Sequence, residues 1–222
     1  MRVALLGGTG DIGAGLALRL AADSDHEVVI GSRDADKAAD KADEYEDTLA
    51  DARIDASVDG EANPDAVSGS HAVILAVPPY YVTDTIDAVE AELDDEAILV
   101  SPAVGIDVDD EGFHYDPPGV GSVTELAAEH APADVPVVGA FHNLAAGRLS
   151  NLDASLDVDT LVTGEDADAK STVMALAESI DGIRALDGGP LANSSEIEAL
   201  TPLLINVAKY NDGMHDVGVE FK

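Results

Sequence analysis

The sequence predicts an α/β protein, a Rossmann-type doubly wound parallel sheet followed by a small C-terminal α/β or helical extension. Segments typical of strands and helices alternate over the first ~140 residues, as in a parallel sheet with helical crossovers. A glycine-rich turn, Gly8-x-Gly10-x-x-Gly13, stands directly between the first strand and the first helix. Residues 72–77 are entirely apolar, which is typical of a strand buried on both faces.

The first half of the chain alternates regularly between strand and helix patterns. Residues 2–6 form an aliphatic strand pattern, and residues 11–22 place Ile12, Leu16 and Leu20 among alanines, as a helix packed on a sheet does. Ser122 is the predicted N-cap of a later helix. The other predicted elements are strands 27–30, 53–58, 72–77, 97–101 and 135–140, and helices 34–49, 80–93 and 122–131.

After residue 140 the pattern becomes less regular. A strand at 159–163, a helix at 167–180 and a short strand at 183–186 precede an apolar-rich helix at 194–209. The apolar face of that helix is wider than one sheet contact requires, so it either closes over the sheet or forms a dimer interface. Residues 107–121, which contain two prolines and three glycines, are predicted to form one long loop.

The chain is strongly acidic. Its 45 Asp and Glu residues against 11 Lys and Arg residues give a formal net charge of −34 over 222 residues. A surface of this kind repels itself unless salt screens it, and in ~1 M salt the Debye length falls to about 3 Å. We therefore predict adaptation to molar salt; the alternative is an acidic protein with a basic partner. The absence of a basic stripe argues against nucleic-acid binding.

Other compositional features exclude several classes of protein. The chain has no cysteine, so it has no disulfide, thiolate metal site or cysteine nucleophile, and no metal cluster is predicted. Its apolar runs are strand-sized, far below the ~20 residues of a membrane span, so no membrane association is expected. Met1 leads straight into the first strand without a signal-peptide pattern, so a cytoplasmic location is expected.

The glycine turn predicts a dinucleotide site. Gly8 makes the tight turn, Gly10 lets the backbone approach a pyrophosphate, and Gly13 lets the helix lie against the strand. The amides at the helix N-terminus and the helix dipole then face the phosphates. Thr9 can add a hydroxyl contact. Asp11 is explained equally well as a partner of the dipole or as the helix cap.

The end of the second strand predicts NADP(H) rather than NAD(H). NAD-binding proteins place an acidic residue there for the ribose hydroxyls, whereas this strand ends in Ser32 and Arg33 with no acid before Asp34. Ser32 and Arg33 can bind a 2′-phosphate, and Lys37 lies one helical turn beyond. The alternative is that Arg33 and Lys37 only pair with neighbouring acids.

Several segments resemble the archaeal and actinobacterial coenzyme F420-dependent NADP oxidoreductases, and the chain resembles a halophilic archaeal member. The resemblance covers nearly the whole chain and is most specific in segments 187–194 and 200–206, which are similar to the family's closing motif. His142 and segment 148–152 fit the same pattern. The chain departs from the family at Ser195, where the family has Arg, and at Ala199, where it has Ser, which predicts a looser deazaflavin pocket.

The resemblance implies a hydride transfer between NADP(H) and the deazaflavin coenzyme F420 as co-substrate, and a homodimer whose partners are small-molecule coenzymes. It implies a division into residues 1–145, the NADP-binding Rossmann domain, and 146–222, a small domain that closes over the deazaflavin. The implied NADP(H) contacts are Gly8, Thr9, Gly10, Asp11, Ile12, Gly13, Ser32, Arg33, Lys37, Val77 and Pro78. The implied deazaflavin neighbours are His142, Leu144, Ala146 and Thr201.

Three roles remain open at this point. His142 is the candidate catalytic residue: it either passes a proton or contacts the edge of the ring without doing so. Tyr80 and Tyr81 either contact the nicotinamide or its ribose, or start a helix packed on the core. The alternative functions are a reductase of a small ketone or imine, for which no Lys or Tyr proton donor is evident, and a non-catalytic NADP-binding module.

Overall fold

The computed structural model describes residues 1–94 and 96–222, and within them it has ten strands and nine helices. The strands are β1 Arg2–Leu6, β2 Glu27–Ser32, β3 Asp59–Ala62, β4 Ala72–Leu75, β5 Ile98–Ser101, β6 Ile106–Asp109, β7 Gly112–Tyr115, β8 Val137–Gly139, β9 Val158–Gly164 and β10 Ile183–Gly189. The helices are α1 Asp11–Asp23, α2 Ala35–Asp51, α3 Asn63–Val67, α4 Val82–Asp87, α5 Val123–His130, α6 Ala146–Ser150, α7 Ala167–Glu178, α8 Ser194–Glu198 and α9 Leu200–Tyr210.

Eight of the strands form one sheet in the order β3-β2-β1-β4-β5-β8-β9-β10. Every pair is parallel except β8–β9. The strand order reverses between β1 and β4. The carboxyl ends of these two strands therefore mark the topological switch point, where doubly wound sheets bind ligands. The predicted fold class, a Rossmann-type and mostly parallel sheet, is confirmed.

The hydrophobic core lies on both faces of the sheet. Alternate residues of β1 point to opposite sides: Val3 and Leu5 belong to one buried cluster, and Ala4 and Leu6 to the other. Side chains of α1, α2, α6 and α7 fill the first cluster, and side chains of α3, α4 and α5 fill the second. The central strands are therefore apolar on both faces, as the run at 72–77 predicts.

Three predicted elements have wrong boundaries. The strand predicted at 53–58 lies instead at Asp59–Ala62, an edge strand whose polar sequence carries no apolar pattern. The helix predicted at 80–93 consists of α4 between two 3-10 turns, Pro79–Tyr81 and Glu90–Glu92. The helix predicted at 194–209 is split into α8 and α9, because Pro202 has no amide hydrogen to donate to the carbonyl of Glu198.

The prediction of one long loop at 107–121 is wrong for its first half, where the chain forms the hairpin β6–β7. A two-stranded hairpin is marginal by itself, and this one is held by a contact from α9. The Asn206 side chain accepts from the Phe113 amide at 2.9 Å and donates to the Phe113 carbonyl at 2.7 Å. The stabilising partner is thus ~90 residues away, which no local pattern reveals.

The C-terminal part of the chain extends the same sheet. Antiparallel pairing of β9 with β8 joins residues 158–189 to the first half of the chain. The last residues return to this edge, where Asp159 donates its amide to the carbonyl of Val219 at 2.8 Å. The boundary at 145/146 remains a prediction, because strands from both sides of it share one sheet.

Helix α6 connects the two parts by packing closely on α1. A Cβ atom at Gly15 would lie 2.6 Å from the Cβ of Leu149, so only glycine permits this approach. One turn later the buried side chain of Arg19 donates to four carbonyls at the end of α6 and beyond it. The carbonyls belong to Arg148, Leu149, Asn151 and Ala154.

We expect Gly15→Ala to destabilise the fold by ~1–3 kcal/mol, because overpacking outweighs the ~1 kcal/mol that alanine gains in helix propensity. Urea unfolding measures the change. Gly119→Ala is the matched control, since a Cβ there meets no atom within 4 Å. Equal midpoints for the parent and Gly15→Ala would show that α1 and α6 are not in close contact.

Candidate dinucleotide site and adjoining cleft

The turn after β1 is tight and depends on glycine. Gly7 has a φ of 78°, a conformation that favours glycine. A Cβ at Gly8 would lie 2.6 Å from the Cβ of Ile30, and one at Gly13 would lie 2.7 Å from the carbonyl oxygen of Gly7. Helix α1 therefore begins directly beneath the turn.

The N-terminus of α1 presents free amides at this turn. Gly10 is the N-cap and no side chain caps the helix, so the first amides have no partner within it. Asp11 is the first helical residue, which supports its interpretation as a partner of the dipole; the interpretation as the cap is wrong. The buried Tyr45 donates its hydroxyl to the carbonyl of Gly8 at 2.7 Å and fixes the turn from below.

The end of β2 lies beside the turn, since β2 pairs with β1. Ser32 is half-buried, whereas Arg33 and Lys37 are exposed. The carboxylate of Asp34 accepts from the amides of Asp36 and Lys37 and so caps α2. In residues 1–94 and 96–222, neither Arg33 nor Lys37 forms a salt bridge, so the alternative of pairing with neighbouring acids is not observed.

A large cleft of about 960 Å³ opens next to the N-terminus of α1. Ligand sites of small molecules are typically ~300–1,000 Å³, so this cleft is at the upper end of that range. Its walls come from the start of α1, the segments after β4, β5 and β8, helix α9 and the C-terminal segment. Among the predicted site residues, it is lined by Gly10, Asp11, Ile12, Val77, Pro78, His142, Leu144, Ala146 and Thr201.

The other predicted residues lie outside the cleft wall. Gly8 and Gly13 are buried in the turn, Thr9 is half-buried on it, and Ser32, Arg33 and Lys37 lie at the end of β2. The two positions that depart from the family pattern do not line the cleft either. Ser195 donates its hydroxyl to Glu196, and Ala199 lies at the junction of α8 and α9.

The chain turns into the cleft through a strained residue. Phe141 is fully buried with a φ of 67°, which is rare for an aromatic residue. Its amide donates to the hydroxyl of Thr160 at 3.0 Å, a contact that holds this conformation. Strain of this kind costs ~1–3 kcal/mol and is typical of functional sites. It directs His142, Asn143 and Leu144 into the wall of the cleft.

His142 is buried and its tautomer follows from its partners. Its Nε2 lies 3.2 Å from the hydroxyl of Thr124, and that hydroxyl donates its single hydrogen to Glu198 at 2.9 Å. Nε2 therefore carries the hydrogen. Nδ1 is left as a buried acceptor with no partner in the described chain. Burial lowers the pKa of His142 to about 3, so the ring is neutral.

The carboxylate of Glu198 lies behind His142 and is fully buried. It accepts from the amides of Val123 and Thr124, both at 3.0 Å, from the Thr124 hydroxyl, and from the hydroxyl of Tyr115 at 3.0 Å. Burial raises the pKa of Glu198, while these donors act in the opposite direction. One carboxylate thus joins α8 to the N-terminus of α5 and to β7.

Thr201 supports the same wall, because its hydroxyl donates to the carbonyl of His142 at 2.7 Å. Sequence reasoning did not identify Glu198, Thr124 or Tyr45 as part of the site. It also missed the C-terminal segment 214–217, which lines the cleft. Glu198 follows another acid, Glu196, in a stretch that is half polar, so no local signal marks it. Tyr45 lies on a helix whose other face is exposed and carries no local signal either.

Among the residues that the structure describes, no group of three or more His, Asp or Glu side chains is placed to hold a metal ion. Across residues 1–94 and 96–222, no helix has both the length and the apolar character that crossing a membrane requires.

The fold and the site define a dinucleotide-binding oxidoreductase-type Rossmann protein with an adjoining substrate cleft. The model of the family "NADP oxidoreductase coenzyme F420-dependent" matches residues 2–105. The F420-dependent NADP reductase of Methanocaldococcus jannaschii is 39% identical over 208 residues, which cover 93% of this chain and 92% of the relative. That of Methanothermobacter thermautotrophicus is also 39% identical, and 93% and 89% are covered.

A solved structure from Arthrobacter sp. FB24, described as a candidate F420-dependent NADP-reductase, superposes with a TM-score of 0.81. It is 26% identical, and the match covers 100% of this chain and 99% of that one. The chain belongs to the family of F420-dependent NADP reductases.

We expect the ring of His142 to stay neutral, with hydrogen on Nε2, from about pH 8 to about pH 5. The ring accepts a proton near pH 6.5 in the unfolded chain but only near pH 3 in the folded chain. The contribution of His142 to the free energy of unfolding is therefore complete above about pH 6.5 and declines as the pH falls towards about 3. Nitrogen-15 NMR of the labelled imidazole reports both tautomer and charge. A titration midpoint above pH 5, or hydrogen on Nδ1, would contradict the arrangement.

Proposed function

We propose that this chain transfers a hydride between NADP(H) and coenzyme F420, with NADP(H) on the glycine turn and the deazaflavin in the adjoining part of the cleft. The observation that carries the proposal is the continuity of the two sites. The free amides of α1 open into the same cleft that His142, Leu144 and Thr201 line. The curated relatives are named for this activity.

The residues at the turn fit NADP(H). The missing Cβ atoms at Gly8 and Gly13 leave the backbone and α1 close together, so the amides of Asp11 and Ile12 can face a pyrophosphate. Thr9, Ser32, Arg33 and Lys37 follow around the turn and the end of β2, and unpaired cations there suit a 2′-phosphate. Val77 and Pro78 extend this site into the cleft after β4.

The far wall of the cleft suits a flat heterocycle. The Nδ1 of His142 and the Oδ1 of Asn143 are acceptors buried behind this wall, with no hydrogen-bond partner in the described residues. Leu144, Ala146 and Thr201 supply mostly apolar surface around them. When the coenzymes are bound, they supply the chemistry: one hydride passes between the nicotinamide C4 and the deazaflavin C5, and one proton is exchanged with the surroundings.

The chain's own contribution is the orientation of the two coenzymes. The turn fixes one ligand and the rigid segment after β8 fixes the other. A neutral His142 holds no imidazolium proton to give away, and its buried Nδ1 is an acceptor without a partner in the described residues. We therefore propose that His142 acts at the edge of the deazaflavin ring without passing a proton, and that the proton is exchanged with water.

Five further properties are proposed together. The net charge of −34 supports a protein of a halophilic organism, and the Methanocaldococcus and Methanothermobacter relatives support an archaeal one. The exposed face of α9, with Leu203 and Tyr210, supports a homodimer interface. A cytoplasmic location suits an enzyme of diffusible coenzymes. We also propose that residues 146–222 act as the part that closes over the deazaflavin.

Absorbance at 420 nm tests the function. NADPH, oxidised F420 and the protein mixed in molar KCl are expected to bleach the deazaflavin, and protein without NADPH is the control. Bleaching distinguishes this function from a reductase of small ketones or imines and from a non-catalytic binding module. A stable absorbance, with NADPH binding intact, would refute the transfer.

Salt dependence tests the proposed halophilic adaptation. Because screening relieves self-repulsion, we expect the thermal midpoint to rise as KCl increases from about 0.1 M to about 2 M. Circular dichroism measures the midpoint, with equal osmolality of sucrose as the control for non-ionic stabilisation. A midpoint that is constant or falls with salt would contradict the adaptation.

A further inference from the structure

The side chains of Arg33 and Tyr81 meet above the glycine turn. The guanidinium carbon of Arg33 lies 5.3 Å from the centroid of the Tyr81 ring, within the range of a cation–π contact. Arg33 follows β2, and Tyr81 ends the 3-10 turn after β4. Strands β2 and β4 are the two neighbours of β1, so the contact spans the carboxyl end of β1.

We propose that Tyr81 is a positioning residue that sets the preference for NADP(H) by holding the guanidinium of Arg33 ready for the 2′-phosphate. This rests on the proposed function, because it assumes that the dinucleotide occupies the glycine turn. It assigns Tyr81 to the adenosine end of the site. Tyr81 is outside the cleft wall, so the structure gives no support to a contact with the nicotinamide.

An aromatic ring suits this task better than a carboxylate. Arg33 is exposed, and an unrestrained arginine loses rotamer entropy when it binds a phosphate. A carboxylate partner would restrain it but would compete with the phosphate for the same N–H groups. The ring face of Tyr81 attracts the cation without occupying those donors. In the described residues Arg33 has no carboxylate within salt-bridge distance.

Because the chain is so acidic, holding the guanidinium of Arg33 in place before the ligand binds is important. With a net charge of −34, the surface offers no long-range attraction to an anionic dinucleotide. Molar salt would screen such attraction in any case. Affinity for the 2′-phosphate therefore depends on short-range contacts already in place. The ring of Tyr80 lies beside that of Tyr81, with 4.5 Å between the ring centroids.

The test compares NADPH and NADH binding to single variants by calorimetry in molar KCl. Tyr81→Leu is expected to weaken NADPH binding about two- to fivefold and to leave NADH binding unchanged, as loss of one exposed cation–π contact predicts. Tyr81→Phe keeps the ring and is expected to retain the parent affinity for NADPH. Tyr80→Leu is the matched control, with a smaller effect than Tyr81→Leu.

The same substitution on an Arg33→Ser background isolates the mechanism. Arg33→Ser is expected to weaken NADPH binding strongly, and Tyr81→Leu is then expected to have no further effect. Equal losses for NADPH and NADH, or an undiminished effect of Tyr81→Leu without Arg33, would overturn the role of Tyr81 alone. Unchanged NADPH binding in Arg33→Ser would overturn this proposal together with the NADP(H) site. Circular dichroism verifies that each variant is folded.

Discussion

Helix α1 lies so close to its neighbours that side chains at Gly13 and Gly15 would clash, and both parts of the candidate site depend on this close approach. At Gly13 the helix touches the turn after β1, and its first residues line the cleft. At Gly15 it touches α6, the helix that follows the cleft segment after β8. Arg19 then secures α6 by donating to four carbonyls. One helix therefore sets the distance between the glycine turn and the far wall of the cleft.

The few cationic side chains of this acidic chain have different kinds of partner. Arg19 is buried on backbone carbonyls, and Arg184 forms two hydrogen bonds with the carboxylate of Asp159 at 2.7 Å. The side-chain hydrogen bonds of Arg184 lower the pKa of Asp159. Arg33 instead lies on an aromatic ring, so its donors stay available. Arg19 and Arg184 thus use their N–H groups to bind carbonyls or a carboxylate of the chain. The N–H groups of Arg33, beside the turn, remain available to a ligand.

What could be predicted from sequence was local. The glycine turn, the N-cap Ser122 and the strands of the central sheet follow from neighbouring residues, and the structure confirms them. The hairpin β6–β7 was missed because Asn206 stabilises it from a distant helix. Glu198 was missed because its donors come from 74 and 75 residues away, and from β7 at 83 residues. The part of the site formed by the glycine turn could thus be predicted from sequence. The part around Glu198 could not, because its residues come from four separate elements.

Salt acts differently on the exposed charges of this chain and on the buried polar groups of the cleft wall. Exposed charges interact with ions, and at molar salt their interactions extend only ~3 Å. Glu198, Thr124 and His142 are each at most 3% exposed, so dissolved ions do not reach the hydrogen bonds that orient the imidazole. Such buried bonds are stronger than exposed ones, and the carboxylate has four donors to offset its desolvation. Salt therefore screens the exposed charges, while burial shields the hydrogen bonds behind the cleft wall from dissolved ions.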